Sequence, residues 1–376
     1  MSSLPQSDAS GIHDAPLVVV LAPRTETADP ELDYYHDYSQ SYQEFARAFD
    51  ALGMLWRWQP VTTTTFRPIL DALAREPIAR PPVVFNLCDG DDCNDVPGID
   101  VIHHLDTLGL AYTGSDATFY RGTTSKIGMK QAFEAAGVAT APWAVIGHDP
   151  IDAPGLLDRL GAPLIVKPAV SAGSMGITIK SVVSTPEDLR QQVRLLDEGY
   201  RGWDLVSGGI LVEQFITGRE FTTFITGSAD DSARARIYAP VERDFHPNLP
   251  PTERFLSYDR LWQVHERETP IEAGADFWKY APVPTELGAR IQALSWQAYG
   301  AVGGCGYGRV DLRMDERSEE LFVLEVNAQC GLSEDENHTS IGAILQVAGC
   351  TFAELVGHLV ADAATRRLAR VRSSAA

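Results

Sequence analysis

Gly308-Arg309-Val310-Asp311 and, beyond a charged turn, Glu325-Val326-Asn327 carry two carboxylates and an amide on segments that alternate polar with apolar residues. Period-two alternation sends Arg309 and Asp311 to one face of a strand, and Glu325 and Asn327 to one face of the next. If the turn Asp315-Glu316-Arg317-Ser318-Glu319-Glu320 folds them into a hairpin, the oxygens of Asp311, Glu325 and Asn327 meet near one point. An all-oxygen set suits a hard cation such as Mg2+, and Arg309 lies beside it. Acidic residues on a solvated sheet face are common, so the hairpin takes its meaning from the residues upstream.

Those residues are Lys126, Lys167 ahead of the small-residue loop Ser171-Ala172-Gly173-Ser174-Met175-Gly176-Ile177, and Glu213 and Glu220 on adjoining predicted strands. Each suits one part of a bound nucleotide. Lysines neutralise phosphates as compact charges, and a Gly173-Ser174-Met175-Gly176 loop can offer backbone N–H groups to phosphate oxygens. Glu220 can hold ribose hydroxyls, and the backbone of Glu213, Gln214 and Ile216 can read an adenine edge. The hairpin would then bind Mg2+ bridging the phosphates. No G-x-x-x-x-G-K-[ST] run occurs, which excludes a P-loop.

The elements that must position these groups fall into three parts. Residues 1–16 read as a disordered lead-in. Residues 17–121 alternate strand and helix, with strands at Leu17–Ala22, Met54–Val61 and Pro82–Leu87 and a helix over Gln43–Leu52, the pattern of a small doubly wound domain. Residues 122–212 form a central unit with a helix over Lys126–Ala136, strands at Trp143–Ile146 and Pro163–Pro168, and a flexible phosphate loop. Residues 213–376 carry the metal hairpin, a helix over Pro284–Tyr299 and a closing helix over Phe352–Arg370, with 243–282 read as irregular. The fold class is α/β, and α+β in the nucleotide-binding part.

Composition excludes several other classes. The chain of 376 residues has 44% hydrophobic residues and 51 acidic against 31 basic ones, a formal charge of -20, which disfavours nucleic acid and anionic membranes as partners. No run of eighteen apolar residues and no signal-peptide pattern occurs, so a cytoplasmic location is expected. The cysteines Cys88, Cys93, Cys305, Cys330 and Cys350 are odd in number and lack a Cys-x-x-Cys pair, so reduced thiols are expected rather than disulfides or zinc ligands. His103-His104 lacks the i, i+4 spacing of a helical metal pair, Trp56 and Trp58 read as packing, and Cys330 has no evident base to activate it.

The ordered set Val84-Phe85-Asn86, Leu110-Ala111-Tyr112-Thr113-Gly114-Ser115, Ser125-Lys126, Val166-Lys167-Pro168, Val212-Glu213-Gln214-Phe215-Ile216-Thr217-Gly218-Arg219-Glu220, Gly308-Arg309-Val310-Asp311 and Leu324-Glu325-Val326-Asn327 resembles the ATP-grasp superfamily, and within it the D-alanine–D-alanine ligase family. The resemblance runs from about Val83 to Val356. It implies an ATP-grasp fold of an N-terminal doubly wound domain and two α+β subdomains clamping ATP, with two Mg2+ ions for which Mn2+ can substitute. It also implies a ligase that phosphorylates a carboxylate and lets an amine attack the acyl phosphate. Arg309 and Ser174 would then be catalytic. Small amino-acid-like molecules would be the substrates, and a homodimer is compatible with the family.

Several positions depart from the family pattern, and they cluster on the amino-acid side. The glutamate expected after the first strand has no match in Ala22-Pro23-Arg24-Thr25-Glu26 or in Asp33-Tyr34-Tyr35-His36-Asp37-Tyr38. Asp89 precedes Gly90 where a histidine is usual, Gly173 takes the place of the first of two serines, and Asn94-Asp95-Val96-Pro97-Gly98 loosens a Glu-Asp-Gly run. Leu261-Trp262 replaces the Lys-Tyr pair of the mobile loop, with Arg260 or Lys279-Tyr280 as substitutes. Cys330-Gly331 replaces Pro-Gly ahead of the inserted Glu334-Asp335-Glu336. Asp89, Gly331 and Glu334 are therefore the expected substrate contacts, and they favour a substrate with an extra cationic group and a product other than D-alanyl-D-alanine. A solvated loop is the bland reading of Asp89, Asp91, Asp92 and Asp95. A true D-alanine–D-alanine ligase, an intramolecular acceptor and a non-catalytic ATP-binding module are the alternatives.

Overall fold

The computed structural model describes residues 16–24, 38–77, 81–90, 96–148, 152–199, 203–262, 271 and 276–374, the last six of these by backbone alone. The lead-in, the Asp33–Asp37 run, Cys93 and the Asp91, Asp92 and Asp95 positions lie outside the described residues. Three sheets organise the chain.

The first sheet is parallel, in the order β2-β1-β3-β4, from β1 (Val18–Pro23), β2 (Trp56–Val61), β3 (Val83–Asn86) and β4 (Ala111–Tyr112). Every residue of β1 and β3 is buried, as expected of apolar runs covered on both faces. Around it lie α1 (Ser39–Leu52), α2 (Phe66–Arg75), α3 (Ile99–Leu108) and α4 (Ala117–Thr124). Helix α1 buries Glu44, Phe45, Ala48 and Phe49 along one stripe and ends at Gly53, whose φ of 62° is the left-handed conformation of a helix stop.

The second sheet is antiparallel, β5-β8-β6-β7, from β5 (Trp143–Ile146), β6 (Leu164–Pro168), β7 (Val182–Val183) and β8 (Ile210–Gln214). It is covered by α6 (Ala153–Leu160) and α7 (Pro186–Asp197). Because β8 runs to Gln214, the boundary drawn at 212/213 falls inside a strand. Helix α5 (Lys126–Ala136) precedes this sheet in sequence, yet its Met129 and Phe133 pack into the core of the third.

The third sheet has the order β12-β11-β9-β13-β14, with β10 also on β9. Its strands are β9 (Gly218–Thr226), β10 (Arg236–Ile237), β11 (Val241–Phe245), β12 (Trp278–Pro282), β13 (Tyr307–Asp315) and β14 (Leu321–Ala328). The reading of 243–282 as irregular is corrected at both ends: Val241–Phe245 pairs antiparallel with Trp278–Pro282. Their period-two pattern is short and interrupted by charge, so it is visible only once paired. Between them lies α8 (Tyr258–Trp262), and α9 (Thr285–Ala301) packs on the sheet.

Of the remaining helices, α10 (Ser340–Ala348) packs on β9, β11 and β12 of the third sheet, and α11 (Phe352–Ser374) returns to the first sheet. Phe352, Leu355, Val356 and Leu359 join Val18, Phe45 and Phe85 in one core, with the Phe45 and Phe352 rings 5.3 Å apart. The same core takes in Phe224, Val241 and Tyr307, so α11 ties the third sheet to the N-terminal domain. Among the described residues no single helix is long and apolar enough to cross a membrane.

Candidate functional site

A cavity of about 1080 Å³ opens between the three sheets. Its floor is one face of the third sheet, and strand register decides who meets whom. Arg309 faces Asn327 and Asp311 faces Glu325 across the hairpin. On the other side of β13, Thr222 faces Asp311 and Glu220 faces Arg313. Farther out, Arg243 faces Glu220 and Tyr280 faces Arg243.

The hairpin brings its three oxygen-bearing side chains together as the alternation predicts. Asn327 Nδ2 donates to Asp311 Oδ2 at 3.0 Å and to Glu325 Oε1 at 3.3 Å. Thr222 Oγ1 donates to Asp311 Oδ1 at 2.7 Å. Arg309 holds the same carboxylate through Nε at 3.0 Å and Nη2 at 2.7 Å. The set offers two carboxylates and one amide, and among the described residues no group of three or more His, Cys, Asp or Glu gathers. That fits Mg2+, which takes one or two carboxylates and completes its octahedron with water and phosphate oxygens. Asn327 would turn its amide oxygen inward to join them.

The two expected lysines approach this floor from above. Lys126, at the first turn of α5, donates to the Ser171 carbonyl at 3.0 Å and lies 3.7 Å from Glu325. Lys167 on β6 lies 2.5 Å from Glu213 Oε1, and Lys130, one turn beyond Lys126, lies 2.6 Å from Glu213 Oε2. Burial pushes the Glu213 carboxyl up, but the two lysines outweigh it and hold it down at about 2. The Glu213 side chain is therefore a buried clamp on the lysines, and any reading of a base at this position falls to the backbone and to Gln214 and Ile216, which line the cavity.

Glu220 also has partners the sequence reading missed. It is buried between Arg243 and Arg313, whose Nε donates to Glu220 Oε2 at 3.1 Å and whose Nη1 donates to the Ile216 carbonyl at 2.8 Å. Signals for these partners existed. Arg309, Asp311 and Arg313 share one face at period two, as do Glu220 and Thr222, and Lys126 and Lys130 share a helix face at i, i+4.

The loop 171–177 is a run of turns. Met175 N donates to Ala172 O and Ile177 N to Ser174 O. Gly173 and Gly176 have φ of 54° and 73°, and Ser174 has 61°, conformations that cost a residue with a Cβ. A Cβ on Gly176 would meet Leu205 at 2.8 Å. Ser174, expected to be catalytic, lines the cavity, and its Oγ donates to the Leu256 carbonyl at 3.0 Å, tying the loop to the segment before α8.

On the amino-acid side the expectations divide. Asp89, in the loop after β3, and Gly331 line the cavity. Enclosure by the protein pushes the Asp89 carboxyl up to about 6, a shift tempered by its exposure to solvent. Glu334 is corrected: it turns away to Arg47 at 2.5 Å. Asp335 is occupied by His338 at 3.0 Å and by the backbone N–H of Asn337 at 3.0 Å. The loop lines the cavity with Gly331, Leu332 and Ser333, and farther on with His338 and Thr339; its first part is held by the buried Glu44, which accepts from Ser333 Oγ at 2.9 Å and from Glu334 N at 3.2 Å. Gln329, at φ 57°, joins this wall to the first domain by accepting from Ser115 N at 2.9 Å and donating to the Asn86 carbonyl. No local pattern announces either contact.

The substitutes for the mobile-loop pair also divide. Leu261 and Tyr280 line the cavity, but Arg260 is buried against Glu253 and Phe255, and Lys279 reaches outward to Asp244 at 3.6 Å. Burial pushes the Cys330 thiol up to about 12, so it stays protonated and inert. Among the described residues Cys88, Cys305, Cys330 and Cys350 form no disulfide. His103 and His104 contact Arg121 and Asp71.

The family model of the D-ala D-ala ligase C-terminus matches residues 132–361, the segment that holds the hairpin, Lys167 and Glu213. The chain belongs to the D-alanine–D-alanine ligase family. A D-alanine–D-alanine ligase of Psychrobacter sp. is 31% identical over 263 residues, 69% of this chain and 68% of that one. The one from Ralstonia pickettii is 29% identical over 69% of each. The fold agrees with that of the D-alanine–D-alanine ligase from Bacillus anthracis complexed with ATP, with a TM-score of 0.67 at 18% identity over 95% of this chain and 99% of the other. It agrees also with the ligase from Coxiella burnetii, at 0.61 and 17% over 95% and 97%. As a member of the D-alanine–D-alanine ligase family, the chain has the ATP-grasp fold and is an ATP-dependent, ADP-forming ligase that joins a carboxylate to an amine.

Proposed function

We propose that the chain joins two amino acids or close analogues through an acyl phosphate, in a specialised biosynthetic pathway rather than in cell-wall assembly. The convergence of Asp311, Glu325 and Asn327 with Arg309, Lys126 and Lys167 in one cavity carries this reading.

In this reading Lys126, Lys167 and the backbone of Gly173 to Gly176 hold the phosphates, Glu220 meets the ribose, and the strand from Glu213 to Ile216 edges the adenine. Asp311, Glu325 and Asn327 would hold Mg2+, which supplies charge neutralisation between the incoming carboxylate and the γ-phosphate. A substrate carboxylate oxygen attacks the γ-phosphorus and ADP leaves. The amine nitrogen then attacks the acyl carbon, loses its proton, and the carbon–oxygen bond to phosphate breaks. Negative charge grows on the carbonyl oxygen during that attack. Arg309, fixed by Asp311, is the donor placed to stabilise it.

The amino-acid side supports substrates other than two alanines: Asp89 opens into the cavity, and its far wall is the loop fastened by Glu44. The relatives' name favours D-alanyl-D-alanine as the second reading. Both readings meet in one assay, phosphate release across amino-acid pairs with mass spectrometry of the product. Turnover with a pair other than two D-alanines, by at least about tenfold in kcat/KM, supports the proposal. Preference for D-alanine in both positions supports the second reading.

A further inference from the structure

Asp89, Asp204, Glu213, Glu220, Asp311 and Glu325 line the same cavity as Lys126, Lys167, Arg243, Arg309 and Arg313. A polyphosphate entering a cavity with so many carboxylates depends on which cations still have donors to give. Arg309 is held by Asp311 through Nε and Nη2 and in the reading above serves the carbonyl oxygen rather than the ribose end. Arg313 has each of its three nitrogens bonded, to Glu220 and to the Ile216 and Arg254 carbonyls. Among the described residues on the α8 side, Leu261 brings no charge and Arg260 is buried under Glu253.

Arg243 differs. Its Nη1 pairs with Glu220, a carboxylate that Arg313 already neutralises, and among the described residues its Nη2 contacts the Tyr280 hydroxyl at 3.3 Å. Its Nε is buried and has no acceptor among the described residues. A buried donor left without a partner is costly, and a second guanidinium on one carboxylate is a surplus positive charge.

Resting on the nucleotide reading above, we propose that Arg243 is a further phosphate contact, made to the α-phosphate of ATP. Strand register sets the geometry. Arg243 faces Glu220, and Thr222, two residues along β9, faces Asp311. Two residues of strand span roughly 7 Å, so a triphosphate running from a ribose at Glu220 to a cation at Asp311 begins beside Arg243. The planar guanidinium can keep Glu220 with one nitrogen and offer the others to phosphate oxygens.

The test is a ladder of ligands on the full chain: adenosine, AMP and ADP, titrated in Mg2+ against wild type, Arg243→Met and Arg243→Lys. Adenosine affinity is expected to stay within about twofold, while AMP and ADP weaken about tenfold or more in Arg243→Met and partly recover in Arg243→Lys. Equal losses for all three ligands would mean that Arg243 only holds Glu220 in place, and unchanged AMP and ADP affinity would overturn the contact directly. If Arg243→Met does not fold, Arg243→Gln takes its place in the same ladder. Wild type that binds no ADP would remove the nucleotide reading, and this contact with it.

Discussion

The nucleotide side and the amino-acid side of the cavity are built by different means. The first is a sheet face on which register alone delivers Arg309, Asp311, Glu325, Asn327, Thr222 and Glu220 to one surface. The second is assembled from segments far apart in sequence, by Glu44 on Ser333 and Gln329 on Ser115 and Asn86. A sheet face tolerates little change, since a one-residue slip turns every ligand away. A wall held by a few side-chain contacts can be re-shaped without disturbing the sheet face below it.

The comparison is broken most directly at the hairpin. Asp311→Asn and Glu325→Gln are expected to lose about 10²-fold or more in kcat with the fold kept, since each removes an anionic ligand at the phosphoryl-transfer centre. Circular dichroism alongside Mg2+-dependent ADP release checks it; near-normal turnover in both variants would end the metal assignment.

An effect of comparable size, on stability rather than turnover, is expected in the lysine clamp. Lys130→Met leaves Glu213 with Lys167 alone, and removing one partner of a buried pair costs roughly 3 kcal/mol. Glu213 also sets a pH dependence. Its folded carboxyl, held at about 2, lies below an unfolded value of about 4.3. The stabilisation is thus fully present above pH ~4.3 and is lost as pH falls toward 2. Urea midpoints of wild type and Glu213→Gln should converge across that window. A stability gap that stays constant down to pH ~2.5 would show that Glu213 is not held ionised.

The smallest effects separate the two acidic groups near the substrate end. Glu334→Gln breaks an exposed pair with Arg47 and should change stability by less than about 1 kcal/mol and leave substrate preference alone. Asp89→Asn, in the cavity, should lower kcat/KM for basic or diamino substrates relative to alanine-like ones by about tenfold. If Glu334→Gln shifts preference and Asp89→Asn does not, the sides of the loop have been assigned the wrong way round.

The helix over Lys126–Ala136 and the strand over Trp143–Ile146 were legible to the residue, because each is a local periodic pattern bounded by a clear stop. The hairpin was legible for the same reason. Glu334 was misplaced because an acidic run close in sequence to a site says nothing about which side of a loop it faces. Arg47, the residue that turns it outward, is on α1. The strands at Val241–Phe245 and Trp278–Pro282 were missed because their pairing, not their composition, makes them strands.

By itself the sequence determined the family resemblance and the hairpin that sets Asp311 opposite Glu325 and Arg309 opposite Asn327, since period-two alternation and ordered motifs survive without knowledge of long-range contacts. Only the tertiary structure decided that Glu213 grips Lys130 and Lys167, that two arginines share Glu220, and that α11 closes on the first sheet. These depend on which surfaces meet when apolar faces are buried, and a charged side chain taken out of water must find its partner wherever the fold brings one.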